Sequence, residues 1–384
     1  MTSSNNIKAF FELLRAGLWA SEVRLEAFND VDYYEVFRLA KEQSVLGLVL
    51  EGIERSKIQD SSFRVPQQLL LRWIGEVQLI EQQNKAMNEY VACLFEKLRK
   101  ENIHALLVKG QGVAQCYEKP LWRCSGDVDL LLSEDNYQKA KRLLLPLAEE
   151  VEREYSTLKH QGMTMPGGYV VELHGNLHSR LSRRVDRGID EAQKDVLYGG
   201  NVRSWQNGKT QVFLPGVDND VIFLFTHILT HFYIEGIGLR QICDLSRFLW
   251  TYKDSLNHGL LESRIRKMGL MSEWKAFAAL AVDYLGTPAE VMPLYSDEKK
   301  WSRKADRIMA FVLKCGNFGH NRQRKQHHSF LGGKISSFWR KVKDFGRHAR
   351  IFPLDSVKFF FHFVGDGISN CLPSKEDDYR QHIT

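Results

Sequence analysis

Apolar residues recur every three to four positions through the first hundred residues, the spacing of one face of an α-helix. Ile7, Phe10, Phe11, Leu13, Leu14 and Leu18 make a first stripe. Asp32 to Leu50 carries a second, through Val36, Phe37, Leu39, Ala40, Val45, Leu46 and Leu48. Pro66 opens a long third stripe that includes Leu69, Trp73, Val77, Ile80, Val91 and Leu94. Proline suits the first turn of a helix, whose N–H groups lack intrahelical partners anyway.

The period changes after Asn102. Ile103 to Val108, Asp127 to Leu132 and Tyr169 to His174 are short apolar runs of strand length, and Asp135 to Ala148 returns to helical spacing between them. Val202 to Trp205 and Thr210 to Leu214 flank Asn207-Gly208, a favoured two-residue hairpin turn. From Asp218 the helical period resumes, in Val221 to Phe232, Leu239 to Trp250, Leu260 to Met268, Trp274 to Leu285 and Trp301 to Leu313. The pattern predicts an α+β protein with three regions. A helical region covers 1–97, a core with a small mixed β-sheet covers 98–215, and a second helical region with a basic tail covers 216–384.

Composition narrows the class. The 384 residues are 43% hydrophobic and 26% charged, which suits a globular chain and excludes fibrous and disordered ones. A formal net charge of +6 is compatible with a phosphate-bearing substrate without demanding nucleic acid. No cysteine forms a C-x-x-C pair, so the thiols read as reduced. The apolar run Lys358 to Val364 falls far short of the roughly 20 residues a membrane helix needs. With no basic-then-apolar leader, the expectation is a cytoplasmic protein without a transmembrane segment.

The candidate chemistry lies between residues 107 and 174. Alternation along a strand puts Asp127 and Asp129 on one face and Val128 and Leu130 on the other. Two adjacent carboxylates repel each other unless a cation lies between them. Glu172, flanked by the core residues Val171 and Leu173, offers a third carboxylate and shares its face with His174. Three acids on neighbouring strands suit Mg²⁺, which prefers carboxylate and phosphate oxygens, and can hold two ions about 3.5–4 Å apart. Gly110 permits close backbone approach to a phosphate, with Lys109 and Arg123 as cations nearby.

These residues carry a resemblance. Leu107-Val-Lys-Gly110, Tyr117, Pro120, Arg123, Gly126-Asp-Val-Asp-Leu130 and Val171-Glu-Leu-His174 resemble a bacterial family of uncharacterised nucleotidyltransferases within the DNA polymerase β-type superfamily. Leu13-Leu-Arg-Ala-Gly-Leu-Trp19 and Gly238-Leu-Arg-Gln-Ile-Cys-Asp-Leu245 extend the likeness into both helical regions. The resemblance implies a nucleotidyltransferase core and an enzyme that moves a nucleoside monophosphate from an NTP, ATP among them, to a hydroxyl or phosphate acceptor. It implies Asp127, Asp129 and Glu172 as catalytic metal ligands for two Mg²⁺, with Mn²⁺ as a substitute. Lys109, Gly110, Gln111, Arg123, Gly126 and His174 would bind the nucleotide. Gln111 departs from the Gly-Ser or Gly-Gly turn usual in the superfamily. An alternative reading is a catalytically inactive module that binds nucleic acid or nucleotide through the basic tract at 322–350.

His227 and His231, four apart on an apolar helix, are expected to line an interface or meet the substrate. Asp244 is expected to be a helix-surface or capping acid.

Overall fold

The computed structural model describes residues 4–21, 30–59, 65–154, 159–234, 236–317 and 344–360. Residues 322–343 of the basic tract expected at 322–350 lie outside them. The polypeptide is α+β. Helices α1 (Ser4–Trp19), α2 (Tyr33–Glu42), α3 (Leu46–Gln59) and α4 (Gln67–Lys100) come first. The apolar segment read as one unit over 32–50 is two helices, because the chain turns at residues 43–45. Asp32 caps α2 by accepting from the Tyr34 N–H at 2.9 Å. Pro66 stands at the N-cap of α4, one residue ahead of the first helical position.

A five-stranded mixed sheet follows, built from β1 (Ala105–Val108), β2 (Asp127–Leu132), β3 (Glu150–Val151), β4 (His160–Met165) and β5 (Tyr169–His174). Its spatial order is β1-β2-β5-β4-β3. β2 and β5 run parallel, with Asp129 opposite Glu172, and the other pairs are antiparallel. A short helix α5 (Gly110–Ala114) lies between β1 and β2, and α6 (Glu134–Leu144) follows β2. Val128, Leu130, Leu132, Val171 and Leu173 are buried in one cluster with Tyr137 and Leu144 of α6 and Leu94 and Leu98 of α4. That face of the sheet is therefore closed, and the acidic residues face the other way.

Helix α7 (Arg183–Leu197) and the hairpin β6 (Val202–Asn207) and β7 (Thr210–Pro215) lead into α8 (Val217–Ile234), α9 (Leu239–Thr251), α10 (His258–Met268), α11 (Met271–Leu285) and α12 (Lys299–Cys315). Residues 344–349 and 353–360 are also helical. A single hydrophobic cluster joins α1, α2, α3 and part of α4 to these C-terminal helices. Gly17 and Gly52 let α1 and α3 touch backbone to backbone: a Cβ on Gly17 would lie 1.8 Å from the Leu48 carbonyl oxygen. Among the described residues no helix is long and apolar enough to cross a membrane.

Candidate active site

The open face of β2 and β5 carries Asp127, Asp129 and Glu172. Each offers a carboxylate oxygen, and these oxygens lie within 4.8 Å of one another. The register explains this, since Asp129 pairs across the strands with Glu172 and Asp127 lies two residues earlier on the same face. Oxygens on opposite sides of one Mg²⁺ stand about 4.2 Å apart, so the trio fits a hard cation after small side-chain rotations.

The turn after β1 supplies a cation. Lys109 has φ +57° and Gly110 φ +38°, two successive residues in the region that side chains avoid. A non-glycine residue held there costs of order 1–3 kcal/mol and persists only where its surroundings impose it. Here the turn delivers the Lys109 ammonium to Asp129, with Nζ 3.0 Å from Oδ1. His174 Nε2 is 2.8 Å from the same oxygen and 3.4 Å from Glu172 Oε2. His160, on β4, places Nε2 3.1 Å from Glu172 Oε2.

The carboxylates are electrostatically unequal. The negative charge of Asp129, then burial, raises the Asp127 pKa above the usual carboxylate range. Burial pushes Asp129 the same way, but Lys109 and the His174 hydrogen bond outweigh it and the net shift is downward. Glu172 also overcomes its burial, through hydrogen bonds with His160 and His174, and stays ionised well below the ordinary range. Burial lowers the His174 pKa, yet its bonds to Asp129 and Glu172 raise it overall. The face is thus an anionic centre with Lys109 and His174 held against it.

Helices α8 and α9 form the opposite wall. A cleft of about 290 Å³ is lined by Lys109, Gly110, Asp127, Asp129 and Glu172 on one side and by His227, His231 and Arg240 on the other. His227 and His231 pack their rings edge to face at 4.3 Å. Burial, then the charges of Lys109, His231 and Arg240, hold the His227 pKa well below its ordinary value, so its ring is neutral.

Other sequence-derived residues fall differently. Arg123 is buried, and its Nε and Nη2 each donate to Asp244 at 2.7 Å. Arg123, expected as a cation near the phosphate, does border the cleft, with its guanidinium paired to the Asp244 carboxylate. Asp244 is neither a surface acid nor a cap; it also accepts from the Tyr117 hydroxyl at 2.7 Å. The Gln111 side chain turns away from the acids and donates to Asn84 Oδ1 at 3.2 Å and Asn88 Oδ1 at 3.1 Å, on α4. The side-chain amide of Gln111, expected at the nucleotide, is thus engaged with α4 instead. Gly126 is exposed, and nothing lies within 4 Å of a Cβ placed there.

Sequence reasoning missed His160 and Arg240. His160 opens β4, whose Gln161, Gly162 and Thr164 interrupt the apolar signal. Arg240 stands inside Gly238-Leu-Arg-Gln, and only the return of α9 over the sheet shows that it borders the cleft.

Three converging carboxylates, a strained Lys-Gly turn and a cleft walled by two helices define a site suited to a divalent cation and a phosphate-bearing ligand. The sequence profile of a family described as uncharacterised nucleotidyltransferase matches residues 29–286, about two thirds of the chain, and the protein belongs to that family. A crystal structure of an antigenic nucleotidyltransferase-like protein from Paracoccidioides brasiliensis is similar at 15% identity, with a TM-score of 0.33, over 55% of this chain and 94% of that one. Comparison with curated proteins gives no match.

Proposed function

We propose that the protein transfers a nucleoside monophosphate from an NTP to a hydroxyl or phosphate acceptor and releases pyrophosphate, in the cytoplasm. The observation that carries this reading is the convergence of Asp127, Asp129 and Glu172 within 4.8 Å at the floor of the cleft. These three would hold Mg²⁺, two ions or Mn²⁺ in their place. Such ions, when bound, neutralise charge on the reacting phosphate and lower the pKa of an attacking hydroxyl.

The chain's own residues supply the rest. Lys109 and Arg240 place two positive charges on the cleft walls, where phosphate oxygens gain charge-assisted hydrogen bonds. Gly110 keeps the turn free of a side chain, so a phosphate can approach the backbone. Leu224 and Ile228 give α8 an apolar surface in the cleft, which excludes water and suits the flat face of a base. Neutral His227 is able to accept a hydrogen bond from an acceptor hydroxyl.

Asp129→Asn tests the proposal, because it removes one charge and keeps the side-chain shape. A thermal-shift assay with ATP, GTP, CTP and UTP, with and without Mg²⁺, is expected to show a Mg²⁺-dependent shift for at least one NTP in the wild type and none in the variant. Equal shifts in both proteins would refute the assignment.

A further inference from the structure

The acidic trio is not the only ligand set on the open face of the sheet. Cross-strand pairing places His160 of β4 opposite His174 of β5, and Glu172 lies two residues back on the same face. The two imidazoles face each other with ring centroids 4.9 Å apart. His160, Glu172 and His174 each present a ligand atom, and the three atoms lie within 4.8 Å of one another.

The chemistry of this set differs from that of its neighbour. Three carboxylates select a hard ion, whereas two imidazoles and one carboxylate suit zinc and its first-row neighbours. The distances agree with that size. Tetrahedral zinc with bonds of about 2.0–2.1 Å separates its ligand atoms by about 3.3 Å. The Glu172 oxygen lies 3.1 Å from His160 Nε2 and 3.4 Å from His174 Nε2. Both imidazoles present Nε2, the nitrogen at the tip of the ring. Side-chain exposures of 20% for His160 and 27% for Glu172 leave an approach from solvent.

Charge favours a cation as well. The carboxylates of Asp127, Asp129 and Glu172 meet one lysine, Lys109, and the imidazoles can donate electron pairs to a metal in their neutral form. We infer that His160, Glu172 and His174 form a second metal site, selective for an imidazole-preferring divalent transition cation and distinct from the all-carboxylate site beside it. Glu172 is common to both. His174 also touches Asp129, so a metal on His174 Nε2 displaces that hydrogen bond and couples the two sites. The inference assigns the neighbouring carboxylates as in the proposed function, but its own ligands include two residues that function does not require.

The test uses the full-length protein stripped of metal by chelation and titrated with Zn²⁺ in the absence of nucleotide. One Zn²⁺ is expected to bind the wild type by calorimetry. His160→Ala is expected to weaken it by more than about 100-fold, since even residues that only orient a metal ligand cost 10–100-fold. Asp127→Asn, which removes a nearby charge but no ligand, is expected to weaken Zn²⁺ binding at least about tenfold less than His160→Ala does. Co²⁺ bound to the wild type should give the intense visible absorption of a four-coordinate nitrogen–oxygen site, a readout that needs no variant to fold. Absence of Zn²⁺ binding, unchanged affinity in His160→Ala, or an equal loss in Asp127→Asn would each overturn the inference. The Mg²⁺-dependent NTP shift of the wild type decides nucleotidyl transfer separately, so either claim can fail without the other.

Discussion

Asp244→Ala is the most informative perturbation of the framework that holds the cleft. Asp244 sits on α9, and its carboxylate accepts two hydrogen bonds from Arg123 and one from Tyr117, each at 2.7 Å. Arg123 and Tyr117 belong to the segment between α5 and β2, so the cluster ties the sheet to the far wall of the cleft. Removing the carboxylate strands an arginine side chain that is 6% exposed and leaves it Ser125 Oγ at 2.9 Å and the Cys124 carbonyl at 3.2 Å. Breaking a buried ion pair from one side costs about 3–5 kcal/mol. The orphaned Tyr117 hydroxyl carries a penalty of the same kind, about 1–3 kcal/mol, which overlaps with the first. A urea titration followed by tryptophan fluorescence should therefore show a loss of about 3–5 kcal/mol at unchanged slope. The double variant Arg123→Met/Asp244→Leu removes both charges, and its loss should fall short of the summed single losses by up to about 3 kcal/mol. A loss below about 1 kcal/mol in Asp244→Ala, or strict additivity in the double variant, would refute the argument that the pair is buried and mutually dependent.

Three other predictions follow from the same structure. Lys109→Met removes the ammonium that competes for Asp129, so Mn²⁺ should bind the nucleotide-free protein about tenfold tighter, near 1.4 kcal/mol, while NTP binding weakens; paramagnetic titration of Mn²⁺ checks both directions. Glu273 is buried, accepts from the Tyr233 hydroxyl at 3.1 Å, and is pushed by burial and then by Asp355 from 4.5 to about 8. The folded state therefore holds its proton more tightly than the unfolded chain, so this stabilisation is full below pH 4.5 and is lost as pH rises to about 8. The span corresponds to roughly 5 kcal/mol, and Glu273→Gln should flatten the wild-type decline in urea stability over that range; parallel pH profiles would count against it. His227→Ala opens the α8 wall without touching the carboxylates, and transfer from NTP to acceptor should fall about 10²–10⁴-fold with Mg²⁺ affinity unchanged, as measured by label incorporation and calorimetry.

Much of this molecule is written locally. Val128, Leu130, Val171 and Leu173 alternate with the acids, so the buried face of the sheet and the acidic face could both be read from period two. The long stripe after Pro66 is likewise unambiguous, because its apolar positions from Leu69 to Leu94 keep one helical phase. Helix α7 was hidden although Val185, Ile189, Ala192 and Val196 keep the spacing, since Arg183, Arg184, Asp186, Arg187 and Asp190 dilute the apolar signal. β4 was hidden for a related reason, and His160 with it. The Arg123–Asp244 pair joins residues 121 positions apart. Nothing in local periodicity specifies such a pair, and both partners were consequently assigned other roles. The direction of Gln111 was equally illegible, because it depends on Asn84 and Asn88 of a helix that ends before β1 begins.

The central claim is that Asp127, Asp129 and Glu172 together hold a divalent cation in the cleft. Diffraction from crystals soaked with Mn²⁺ and a non-hydrolysable NTP, recorded at the manganese absorption edge, tests it most directly. An anomalous peak within bonding distance of all three carboxylates, with phosphate density reaching Lys109, is the expected result. A peak elsewhere, or none at these carboxylates while the nucleotide is bound, would contradict it.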